Sequence, residues 1–153
     1  MIILDTDFLS SFLKIDKLDL VKDFFGEEFL YIPPSVLKEI SQTELIQKLI
    51  EKRYIQARSA KRLNIKGGRV LGSGEVECIS LASKTDLVLM DDKKAGKIAI
   101  ENGVKVVNIP GLLLAMKKSN YISQSQLNRI IDDLKEKDYY SFTKEDEEKL
   151  MDI

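Results

Sequence analysis

Four short apolar runs recur along the chain, Met1-Ile-Ile-Leu4, Phe29-Leu-Tyr-Ile32, Leu87-Val-Leu-Met90 and Val104-Lys-Val-Val107, separated by segments with apolar residues at helical spacing. Runs of this kind read as strands buried on both faces. The intervening segments predict helices over 8–15, 18–25, 36–63, 75–83 and 93–102, the last stopped by Gly103. Such alternation predicts an α/β chain with a mostly parallel central sheet covered on both faces. After Pro110-Gly111 only helices are expected: 112–118, 124–137 with Leu127, Ile130, Ile131 and Leu134 on one stripe, and 144–151 with Thr143 as its cap. The reading is one domain over 1–153, an α/β core over 1–110 followed by a helical C-terminal tail over 111–153. Gly67-Gly68 and Gly72-Ser-Gly74 read as a flexible connection between two helices.

At 153 residues the chain buries enough surface to hold a core without disulfides or a structural metal. The single cysteine, Cys78, lies in an apolar pattern and reads as a small buried hydrophobe in a reducing compartment. The start, Met1-Ile-Ile-Leu-Asp5, has no basic region and meets an acid at its fifth residue, unlike a signal peptide. The run from Leu112 to Met116 is far shorter than the roughly 18 residues of a membrane span. A cytoplasmic protein with no membrane association is therefore expected.

Histidine is absent. That excludes Ser-His-Asp and Cys-His hydrolysis, histidine-based general acid–base nucleases and His-containing zinc sites. Chemistry must run on carboxylates, Lys, Ser/Thr or bound ions. The net charge is −1, but residues 52–74 carry seven Lys and Arg and no acid, leaving −8 for the rest. Residues 132–152 hold nine acids and four bases. The basic segment, with Arg58, Lys61 and Arg62 at its centre, reads either as a solvated face or as a grip on a phosphate backbone.

In an open parallel sheet ligands bind beyond the carboxyl ends of the strands, and there the first run delivers Asp5 and the third delivers Asp91 and Asp92. Any one of these acids alone reads as a turn residue or helix cap. Glu75 is sharper. At 100° per residue it falls between Cys78, Ile79 and Ala82 at the centre of an apolar stripe, whereas Glu77 falls outside it. A carboxylate there needs an ion or a polar cleft, unless it turns back to solvent in the first helical turn. Glu39 lies on the flank of the Val36, Leu37, Ile40 arc. Together Asp5, Glu39, Glu75 and the Asp91/Asp92 pair form an oxygen-only donor set, which selects Mg2+ or Mn2+, and the matching chemistry is phosphodiester hydrolysis.

These residues resemble the PIN-domain family of metal-dependent ribonucleases, VapC-type toxins among them. The motifs are Ile2-Ile-Leu-Asp5-Thr6, Gly74-Glu-Val-Glu-Cys-Ile-Ser-Leu-Ala82 and Met90-Asp-Asp-Lys-Lys-Ala95, with Val36-Leu-Lys-Glu-Ile40 and the helical tail through Leu150. The resemblance implies a three-layer α/β/α sandwich and a Mg2+ or Mn2+ site made by Asp5, Glu39, Glu75 and Asp92. Asp91 would be a supporting or alternative ligand, and the Thr6 hydroxyl would support the site. It further implies endoribonuclease activity on RNA, a small inhibitory antitoxin protein, and a homodimer. Arg58, Lys61, Arg62, Lys93 and Lys97 are the expected RNA contacts. Three departures stand out. Asp7 occupies a position usually neutral, where it adds charge to the site or caps the next helix. Gly96 replaces an Arg, with Lys97 beside it as a substitute. Asn108-Ile-Pro110 replaces a Gly-Thr-Leu stretch.

Other readings compete. Asp5-Thr-Asp7 resembles the start of haloacid-dehalogenase-like phosphatases, but Leu9 and the lack of a late Gly-Asp-x-x-x-Asp fit that family poorly. A phospho-receiver domain would have its acid pair at the first strand. A PIN fold that binds RNA or a protein without cutting is the main alternative.

Overall fold

The run Ile2–Leu4 forms β1, and all three of its side chains are buried, as expected for a strand flanked on both edges and covered on both faces. Leu30–Ile32 (β2) and Leu87–Leu89 (β4) pair with it, and Ile55–Ala57 (β3) and Lys105–Val107 (β5) are the edges. All five strands are parallel, in the order β3-β2-β1-β4-β5. The structure is a computed structural model and describes residues 1–63 and 65–151; Asp152 of the predicted acidic tail lies outside the described residues, as do Asn64 and Ile153. The chain moves outward from β1 through β2 to β3, then returns to the other side of β1 for β4 and β5. The order thus reverses between β1 and β4.

The helices are Thr6–Lys14 (α1), Leu18–Phe25 (α2), Pro34–Ser41 (α3), Ile46–Glu51 (α4), Ser73–Leu81 (α5), Lys93–Glu101 (α6), Ile109–Lys118 (α7), Gln124–Lys137 (α8) and Lys144–Met151 (α9). With the sheet they make a three-layer α/β/α sandwich ending in a helical tail. Phe8 and Phe12, one turn apart on α1, stack with ring centroids 5.2 Å apart and are fully buried. The predicted stripe of α8 is buried too, and its first turn is closed by Ser123, whose Oγ accepts the Gln126 N–H (3.1 Å). Cys78 is buried, its thiol donating to the Leu4 carbonyl (3.5 Å). Burial pushes that thiol well above its ordinary value, so it is no nucleophile. Among the described residues no helix is long and apolar enough to cross a membrane.

The predicted helix over 36–63 is instead two helices and a strand. The chain leaves α3 after Ser41, and the Thr43 hydroxyl donates to the Ile40 carbonyl (2.8 Å) while accepting the Leu45 N–H (3.2 Å). Beyond α4, the Tyr54 carbonyl accepts from Leu30 (3.0 Å) and the Arg58 N–H donates to Ile32 (2.9 Å), locking β3 beside β2. The helix expected over 112–118 starts earlier, and Pro110-Gly111 lies in the first turn of α7, where a missing N–H breaks no helical bond; Asn108 caps it through Gly111 (2.8 Å).

The glycine-rich connection joins β3, not a helix, to α5. It contains one turn of 3₁₀ helix at Gly68–Val70, and Gly67 takes a left-handed φ of +79°. It is tied to the end of α6 at one point: the Lys66 N–H donates to Asn102 Oδ1 (2.9 Å), and Asn102 Nδ2 donates back to the Lys66 carbonyl (3.0 Å).

Candidate active site at the carboxyl ends of β1 and β4

The strand order reverses between β1 and β4, and at such a reversal open α/β sheets form their ligand-binding crevice, at the carboxyl ends of the strands. Asp5 follows β1 directly. Its N–H donates to Leu89 of β4 (3.0 Å), and its Oδ1 accepts the Thr6 N–H (2.8 Å), capping α1. The residue is 3% exposed. Burial raises its pKa from 3.8 to about 7, helped by the charges of Glu75, Asp7 and Glu39 and opposed by the Thr6 N–H.

Glu39 comes from α3 and Glu75 from the first turn of α5, two helices that pack together. Glu77 ties them, accepting from the Ser35 hydroxyl and from its N–H (3.4 Å). Gly74 permits the approach. A Cβ built there would lie 2.9 Å from Glu39 Oε1, 3.3 Å from Val36 Cγ2 and 3.6 Å from Thr6 Oγ1. Glu75 is half-buried, and its Oε1 accepts the Gly72 N–H (3.1 Å). Helical spacing placed it at the centre of the apolar stripe; the carboxylate instead curls back over the helix start. Its pKa is raised by burial first, then by Asp92, Asp7 and Glu39, against the Gly72 bond.

The Asp91/Asp92 pair divides. Asp92 is exposed, caps α6 through the Ala95 N–H (2.9 Å), and acts on Glu75. Asp91 turns to the tail: its Oδ1 accepts the Ile109 N–H (2.9 Å), and the Tyr140 hydroxyl reaches both its oxygens (2.9 and 2.8 Å). Burial raises the Asp91 pKa, with Asp7 and Asp138 adding and the two donors opposing. Burial and Asp91 push the Tyr140 phenol well above its ordinary range. Tyr140 has no motif of its own, and the sequence reading missed it. We expect Tyr140→Phe to leave a half-buried carboxylate short of its donor and to destabilise the fold by about 1–3 kcal/mol. Denaturant melts would check this, and Asp91→Asn on top should cost less than the two singles summed.

Asp7, exposed on the first turn of α1, acts on Asp5, Glu75 and Asp91, so it belongs to the cluster. None of Asp5, Asp7, Glu39, Glu75 and Asp92 forms an ion pair among the described residues. The Thr6 hydroxyl is buried without a partner among them. The chemistry of this donor set, oxygen only and with uncompensated negative charge, fits a hard divalent cation. As placed, no three such side chains among the described residues make a closed ion-binding group.

The family model of the PIN domain matches residues 1–150. The chain belongs to the PIN-domain family. No curated protein matches it. PIN domains are generally nucleases and usually use divalent metals, and membership removes the phosphatase and receiver readings.

Two sets of cations accompany the acids of this PIN domain. Lys93 and Lys97, one turn apart on α6, line a cavity of about 690 Å³ that also includes Asp92, Gly96, Ile100 and Asn108. Neither lysine forms an ion pair among the described residues. Arg58, Lys61 and Arg62 line a different cavity, of about 610 Å³, with Met1 and the last turn of α5. Met1 precedes β1 and Asp5 follows it, so the second set does not flank the acids.

Proposed function

We propose that this PIN domain is a divalent-metal-dependent endoribonuclease that hydrolyses RNA phosphodiester bonds at the acid cluster. The observation that carries the reading is five carboxylates without counter-ions among the described residues at the β1–β4 reversal, one of them buried with its pKa raised to about 7. Asp5, Glu39, Glu75 and Asp92 would hold a Mg2+ or Mn2+ ion, which when bound supplies Lewis acidity and an activated water. The chain's own groups do the positioning. The Thr6 N–H fixes one oxygen of Asp5. Asp92 is held at the mouth of α6 by Ala95, and Tyr140 holds both oxygens of Asp91. Lys93 and Lys97 set positive charge beside the acids, where phosphates flanking the scissile bond would lie.

Cleavage of a mixed-sequence labelled RNA with Mn2+, Mg2+ or EDTA tests the reading. Cutting that needs an ion supports it; binding without cutting under any ion returns the non-catalytic PIN fold. For the lysines, Lys93→Gln with Lys97→Gln should weaken RNA binding and reduce the slope of log K against log salt by about 1.4. An unchanged slope in a salt titration would remove them from the RNA path. The toxin role adds a small antitoxin protein over the acids and a second copy of the chain as partners. That part of the proposal rests on the resemblance, and a monomer by sedimentation would remove the second copy.

A further inference from the structure

The basic segment over 52–74 is not one surface. Lys52 is paired with Asp19 (3.1 Å). Arg58, Lys61 and Arg62 gather around a cavity of about 610 Å³ whose other walls are Met1, Ser59, Ala60 and the end of α5 with the two residues after it, Ser80 to Ser83; no acid among the described residues lines it. None of the three cations forms an ion pair among the described residues. The Arg58 guanidinium is nonetheless held in place, 4.6 Å above the Tyr31 ring, with the Met1 sulfur (3.5 Å) as its one side-chain hydrogen-bond partner among the described residues. Most of its donors are therefore uncommitted. In the wall, the Ser80 hydroxyl is buried without a partner among the described residues. The cavity thus offers three unneutralised cations.

A helix carboxyl end disfavours an anion, and α5 ends here. Its dipole amounts to about half an elementary charge, less than any one of the three cations. The balance stays positive, and a phosphate, with several acceptor oxygens, matches it.

We propose that this cavity is a phosphate-binding site, separate from the acid cluster, that grips an RNA chain. The helix α5 sets the interval between the two. Glu75 is in its first turn and the cavity is at its last; the nine residues from Ser73 to Leu81 span about 13 Å. One RNA strand lying along α5 would reach both. Naming RNA as the source of the phosphate rests on the ribonuclease reading; the phosphate chemistry does not.

The test is binding to the full chain in EDTA, where cleavage plays no part, with three probes: inorganic phosphate, a 5′-mononucleotide and a ten-residue single-stranded RNA. The variant is Arg58→Gln/Lys61→Gln/Arg62→Gln, all at exposed positions, with melting curves as a check on folding. The triple variant is expected to bind RNA at least tenfold more weakly, with a salt slope lower by about 2. Loss of RNA binding alone assigns the site to the polynucleotide; parallel loss of phosphate and mononucleotide binding assigns it to free phosphates as well. A folded triple variant with unchanged affinity for all three probes overturns the proposal. If these bindings hold while no ion supports cleavage, the ribonuclease reading fails and the phosphate site stands.

Discussion

Asp5→Asn is expected to lose RNA cleavage by at least about 100-fold and yet to be more stable than the parent at neutral pH. Both effects follow from the burial of one carboxylate. With a folded pKa of about 7 against an ordinary 3.8, the folded chain retains a proton that the unfolded chain releases between about pH 4 and 7. Stability falls wherever the folded state binds more protons as pH rises, so the loss accumulates across that window and levels off above it. At 1.36 kcal/mol per pKa unit the difference reaches about 4 kcal/mol as an upper bound by pH 8. Glu75 and Asp91, also raised, slope in the same direction. Asparagine cannot ionise but still accepts the Thr6 N–H. The variant should match the wild type near pH 4 and melt roughly 5–10 °C higher at pH 8. Cleavage that survives the change would end the assignment of Asp5; a pH-independent gap in melting temperature would contradict the burial argument.

Loading with Mn2+ is expected to reverse that penalty and to release a proton. At pH 7 Asp5 is about half protonated, so occupation of the cluster should free up to about half a proton from that residue. The release should grow towards pH 6 and fade above pH 8. Calorimetry at pH 7 in two buffers of different ionisation enthalpy reads it directly. Stability should rise with the ion by mass action, about 2.7 kcal/mol at a hundredfold excess over the dissociation constant, and EDTA should return it to the starting value. If the heat is the same in both buffers, Asp5 is not where the ion binds.

The sheet centre was legible because β1, β2 and β4 are covered on both faces and must be apolar throughout. The edge strand β3 was not. Ile55-Gln-Ala57 needs only one apolar face, and Leu45, Ile46, Leu49 and Ile50 just before it carry a helical pattern that swallowed it. Asp5 and Asp92 were visible as acids at strand ends. Helical spacing placed Glu75 near the crevice but could not tell that its carboxylate would fold back onto the Gly72 N–H. The destination of Asp91 had no local sign, since its partner Tyr140 lies 49 positions away. Likewise the charge of the basic segment was plain while its location was not. Composition counts cations, but only the path of the chain from β3 to α5 sets Arg58, Lys61 and Arg62 at the opposite end of α5 from the acids.

The pairing of Asn102 with Lys66 uses main-chain atoms alone on one side. Any amino acid except proline at position 66 could satisfy it. The link therefore acts as a fixed post for a segment whose side chains are free to drift. Mutation could rewrite the cations of that segment one at a time, retuning which molecules the surface holds, without disturbing the crevice where the acids lie. Capture and chemistry would then be separately heritable traits of one small chain.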